Sequence, residues 1–85
     1  MRIQAMLELR RGDYAAAREH AETAHRTACR LGVALLRGEC AAVLSVVLER
    51  LGRLDEAAAR KAEAAEIFRT LGAERLLLDL ARGYA

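Results

Sequence analysis

Gly12-Asp13-Tyr14-Ala15-Ala16-Ala17 and Gly52-Arg53-Leu54-Asp55-Glu56-Ala57 are the two stretches on which the fold turns. In each, a lone glycine precedes a run of good helix formers. Gly12 and Gly52 are 40 apart (52 − 12), and Gly32 and Gly72 are 40 apart as well (72 − 32). Glycine accepts the left-handed backbone on which helices end. A regular set of such stops marks an internal repeat. Laying residues 1–40 over 41–80 puts Arg10 on Arg50, Ala17 on Ala57, Ala24 on Ala64, Leu31-Gly32 on Leu71-Gly72 and Leu36 on Leu76. Ile3, Met6, Leu7 and Glu39 meet the similar Val43, Val46, Val47 and Asp79. The glycines and the Leu-Gly pairs carry most of this weight, because an Ala-rich chain matches alanines by chance.

Working outward, the glycines divide the chain into five helices: roughly Met1–Arg11, Asp13–Leu31, Val33–Leu51, Leu54–Leu71 and Ala73–Tyr84. Asp13 follows Gly12 and can cap the first amides of its helix. Asp55 and Glu56 put negative charge in a first turn, where the helix dipole favours it. Connections of two or three residues make successive helices antiparallel neighbours. In Leu54–Leu71 an apolar stripe of Ala57, Ala64, Ala65, Phe68 and Leu71 opposes Arg60, Lys61, Glu63 and Arg69, the pattern of an outer amphipathic helix. Cys40–Leu48 is apolar on nearly every side, as a central helix requires. Gly38 lies inside that helix at a cost of roughly 1 kcal/mol relative to Ala, which points to a kink or a close helix contact. The expected architecture is one all-α domain over residues 1–85: a repeat over 1–32, a second over 33–72, and a first or capping helix over 73–85.

Composition agrees. The chain has 85 residues and is 54% hydrophobic, yet only 4% aromatic and without proline, so its apolar mass is Ala, Leu and Val. These residues, with Arg and Glu, lose little freedom in helices. The formal net charge is +2, from 14 basic and 12 acidic residues, with the two signs interspersed. That balance argues against a nucleic-acid stripe. Cys29 and Cys40 are too few for a disulfide scaffold and read as small packed thiols of a reducing compartment. Met1–Arg11 carries charges throughout, unlike a signal peptide. The longest uncharged run, Cys40–Leu48, is far below the ~20 residues that span a bilayer. A cytoplasmic protein is expected.

The two opening stretches resemble the inter-helix turn of tetratricopeptide repeats, in which a Gly-Asp-aromatic turn precedes a small residue. Ala17 and Ala57 occupy the small position after the turn. Ala24 and Ala64 match the family's second small residue on the outer helix, and Ala5 and Ser45 its small residue on the inner helix. The resemblance covers nearly the whole chain but departs from the standard form. The period is 40 rather than 34, the closing proline is absent, and Ala21 and Lys61 replace an aromatic. The long period and the Leu-Gly closure look like the repeats of large ATP-dependent bacterial transcription activators and of kinesin light chains. Phe68-Arg69-Thr70-Leu71-Gly72-Ala73 is closest to the activator type.

The resemblance implies a right-handed stack whose inner helices line a concave partner-binding groove. By position its walls are Arg2, Met6, Leu9, Arg10, Glu39, Ala42, Val46, Glu49, Arg50, Asp79 and Arg82. Read without it, Met6, Leu9 and Val46 are core and the charges a solvated face. The implied function is binding of a helix or peptide. A ligand-responsive segment of a bacterial transcription regulator is the alternative.

Catalytic and metal chemistry find little support. His25 and Cys29 share a helix face at i, i+4, with Glu22 one turn earlier, a spacing that could seat a metal. His20, however, lies about 140° around the helix from His25, and no second cluster completes a site. Both histidines therefore read as surface residues. Ser45 lies in the most apolar helix and reads as a packing residue bonded to its own backbone. No phosphate loop or nucleophile–base arrangement is visible, so no cofactor, metal or enzymatic activity is expected. The last helix is more telling. Leu76, Leu77, Leu78 and Leu80, with Tyr84, cover more than the one face a terminal helix can bury. Repeat stacks usually end on a polar cap. Either the chain is part of a longer array, or it closes by self-association, with Leu76, Leu77, Leu80 and Tyr84 as the candidate contacts, most simply as a symmetric dimer through the last helix, the helix over Val33–Leu51 or both.

Overall fold

A computed structural model describes residues 12–82 of the chain. Among them are four α-helices and no strand: α1 (Tyr14–Leu31), α2 (Ala34–Arg50), α3 (Leu54–Leu71) and α4 (Glu74–Ala81). The all-α expectation holds in these residues. The predicted helix over Met1–Arg11 lies outside them, as do Gly83 and Tyr84. The 40-residue period reappears in the helix bounds: α3 begins and ends 40 residues after α1 (54 − 14, 71 − 31), and α4 begins 40 after α2 (74 − 34).

The local signals act as chemistry predicts. The Ala16 amide donates to Asp13 Oδ1 at 3.3 Å, capping α1. Gly32 and Gly72 end α1 and α3 with φ of 70° and 69°, and their amides bond back to the last turn. A side chain at either position would be strained.

Helix pairing is antiparallel. Ala17 and Ala21 of early α1 pack with Val43–Leu48 of late α2, while Ala24 and Ala28 meet Cys40 and Leu36. Ala57 joins the first of these clusters, and Ala64, Ile67 and Phe68 gather with Ala41, Ala42 and Leu80. Every residue from Cys40 to Leu48 is buried, so α2 is the central helix its sequence promised. Ser45 donates to the Ala42 carbonyl at 2.7 Å. Gly38 marks a close helix crossing: a Cβ there would lie 2.8 Å from Phe68 Cε1 and 2.9 Å from Ile67 Cγ2. Glycine at this point lets α3 approach α2, and it thereby brings Glu63, one turn before Ile67, to the edge of α1. No helix of the described residues is long and apolar enough to cross a membrane.

Candidate functional site

Two features of the surface carry chemistry. The first is the seam between α1 and α3. On α1, Arg18 and His25 are seven apart, two turns of helix, and so share a face. On α3, Glu56 and Glu63 have the same spacing. The helices meet so that Glu56 Oε2 lies 3.7 Å from Arg18 Nη2, and Glu63 Oε2 lies 3.0 Å from His25 Nε2. Each rung pairs residues 38 apart (56 − 18, 63 − 25), as two helices running in the same direction require. Arg18 also donates to Glu22 at 2.7 Å. That bond and the Glu22 charge hold the Arg18 guanidinium above its usual range, with Glu56 adding to the effect.

Glu63 is the more enclosed carboxylate. It receives Arg60 Nη1 at 2.9 Å on Oε1, and Arg37 Nε stands 3.8 Å from Oε2. That Arg37 nitrogen is buried and makes no hydrogen bond among the described residues. Cys29 Sγ lies 3.9 Å from His25 Nε2. Alongside this cluster runs an open cleft of about 360 Å³, floored by Leu44 and Leu48 and rimmed by Arg18, Glu22, Arg26, Glu56 and Arg60.

Three expectations change here. His25 is buried, not a surface residue. His25 and Cys29, a pair on α1 alone, are joined by Glu63 of α3, the three donor atoms lying within 4.8 Å of one another. Cys29 is exposed rather than packed, whereas Cys40 is buried.

The second feature is a groove of about 380 Å³ between α3 and α4, lined by Ala58, Lys61, Ala62, Ala65, Leu77, Leu80 and Ala81. Among the described residues, Lys61 is its one charged wall. One period earlier the same positions are Arg18, Ala21, Glu22, His25, Arg37, Cys40 and Ala41. There, α3 itself is docked: its Glu56 and Glu63 reach Arg18, His25 and Arg37, and its Ala64 and Phe68 cluster with Ala41. The groove is thus the site that a helix covers one repeat earlier. Its polar clasps have become apolar: Ala58 stands for Arg18, Ala65 for His25 and Leu77 for Arg37.

The remaining sequence-derived residues fall as follows. Arg2, Met6, Leu9, Arg10 and Tyr84 lie outside the described residues. Ala42 and Val46 are buried and are core, not groove wall, because Ala42 packs with Phe68 and Leu80, and Val46 with the α1–α2 cluster. Glu49, Arg50 and Arg82 are exposed, and Glu39 and Asp79 half-buried. Asp79 Oδ1 is 3.8 Å from Arg75 Nε, a turn away. Of the leucines assigned to self-association, Leu80 is 3% exposed and is spent inside the chain against α3. Leu76 and Leu77 are half-buried. Leu78, one of the apolar residues of the last helix but not assigned to self-association, is 48% exposed.

Comparison with protein-family models, with curated proteins and with solved structures finds no match for the chain.

Proposed function

We propose that the chain is a tetratricopeptide-like interaction module that self-associates through the groove between α3 and α4. The observation that carries this reading is the period relation: positions that hold α3 one repeat earlier recur as an apolar groove that no helix among the described residues covers. A second copy suits it chemically. The helix that walls the groove, α4, carries Leu77 and exposed Leu78 beside Glu74 and Asp79. A two-fold partner therefore brings both an apolar ridge for the groove and a carboxylate for Lys61. Covering a leucine is worth roughly 1.5–3 kcal/mol, so two copies gain on both sides of an isologous contact.

Leu77→Glu and Ala62→Glu, each placing a carboxylate in the groove, should halve the mass measured by light scattering. Leu31→Glu, an exposed position on α1 outside the groove, should leave it unchanged. Equal loss of mass in all three would remove the groove from the account.

A second reading, a ligand-responsive segment of a transcription regulator, is favoured by the cleft at the α1–α3 seam. Its apolar floor and mixed-charge rim suit a small ligand with both charged and apolar parts. Such a ligand should raise the melting temperature, and Ala59→Glu, which fills the cleft, should abolish the rise. A screen of charged metabolites that moves nothing would remove this reading.

A further inference from the structure

We infer that His25, Cys29 and Glu63 form a binding site for a single Zn²⁺ ion at the seam between α1 and α3. The three donor atoms lie within 4.8 Å of one another. His25 Nε2 is the common point, 3.0 Å from Glu63 Oε2 and 3.9 Å from Cys29 Sγ. Around a tetrahedral zinc with ordinary bond lengths, neighbouring N, O and S donors stand about 3.3–3.7 Å apart. The observed separations fall on either side of that range, so small side-chain rotations admit the ion. One imidazole nitrogen, one thiolate and one carboxylate make a borderline-soft set. It suits zinc and other late transition ions and disfavours Mg²⁺ and Ca²⁺, which take oxygen ligands.

The placement follows from the fold. His25 and Cys29 share a helical face at i, i+4. Glu63 arrives because Gly38 lets α3 close on α2. Both Glu63 oxygens face His25 Nε2, Oε1 at 3.1 Å and Oε2 at 3.0 Å, and Arg60 holds the carboxylate in place through Oε1, the way an outer partner orients a ligating carboxylate. Cys29 is exposed, so the site opens to solvent at the sulfur, and three protein ligands leave a fourth position for water or an exchangeable anion. Binding forms a Zn–S bond and releases the thiol proton to solvent. Arg37, 3.8 Å from Oε2, opposes the cation and weakens the site. The ion would bridge the two outer helices and replace a hydrogen-bonded contact with coordination.

The experiment uses the untagged, reduced full chain. Zn²⁺ is titrated in by calorimetry, and Co²⁺ serves as a spectroscopic probe of thiolate ligation. One ion per chain should bind with micromolar or tighter affinity, with a sulfur-to-cobalt charge-transfer band and a melting temperature raised by saturating zinc. Cys29→Ser, at an exposed position, should weaken binding at least tenfold and erase the band. Glu63→Gln should also weaken it, and Arg37→Gln should tighten it by removing the opposing charge. Absence of saturable one-to-one binding overturns the site, as does binding that Cys29→Ser leaves unchanged.

Discussion

Replacing Gly38 with alanine pits two effects of known size against each other. In a helix interior the change normally stabilises by about 1 kcal/mol, because alanine loses less backbone freedom and has the better propensity. Here the added Cβ meets Phe68 Cε1 at 2.8 Å, Ile67 Cγ2 at 2.9 Å and Ile67 Cβ at 3.3 Å. Ordinary carbon contacts begin near 3.5 Å, so the neighbours must retreat by roughly 0.7 Å. Neither can do so cheaply. Phe68 is wholly buried, and Ile67 is β-branched and stiff at χ1. Overpacking of this kind costs about 1–3 kcal/mol. Set against the propensity gain, the net is a loss of about 1 kcal/mol, and the melting temperature should fall by about 4–8 °C for a domain of this size. Thermal unfolding followed by circular dichroism measures it. A double-mutant cycle with Phe68→Leu isolates the contact, since the alanine should cost less where the ring is gone. If Gly38→Ala instead raises the melting temperature by several degrees, α2 and α3 do not meet at this point, and the placement of Glu63 beside α1 loses its support.

The other expected outcomes concern α4, the helix ends and the seam. Leu80→Ala should destabilise by about 2–5 kcal/mol, as a buried leucine in the Phe68 cluster, while Leu77→Ala should cost clearly less; urea unfolding separates them. Gly72→Ala should cost about 1 kcal/mol because φ at this cap is 69°, again read from denaturant midpoints. Glu63→Ala should cost about 1–3 kcal/mol, since it strips His25 and Arg37 of their carboxylate, whereas Glu56→Ala, at an exposed pair, should cost under about 1 kcal/mol. Equal effects at the two glutamates would contradict the unequal enclosure of the two rungs.

Much of the fold could be read from glycine spacing alone, because a helix stop is a local event that the residues at the stop determine. Gly32 and Gly72 end their helices where the repeat put them, and the unbroken apolar text of Cys40–Leu48 identified the central helix. The seam could not be read so directly. His25 and Cys29 were visible as a helical pair, but Glu63 joins them from 38 and 34 residues further along (63 − 25, 63 − 29), with the whole of α2 between. A signal was present: Arg18 with His25 and Glu56 with Glu63 are matched i, i+7 pairs of opposite character on the outer helices of two successive repeats. The phase of α4 was also hidden. Leu76, Leu77 and Leu78 cover so much of one turn that only packing against Phe68 decides which leucine is buried, and it chose Leu80 while leaving Leu78 outside. Ala42 and Val46 were assigned to a groove by position in the repeat, and neighbours on both sides of α2 bury them.

Sedimentation equilibrium of the wild-type chain over a wide concentration range tests the central claim most directly. Self-association through the α3–α4 groove predicts a mass approaching 18.6 kDa (2 × 9.3 kDa) with rising concentration. A mass that stays at 9.3 kDa throughout the range would contradict it.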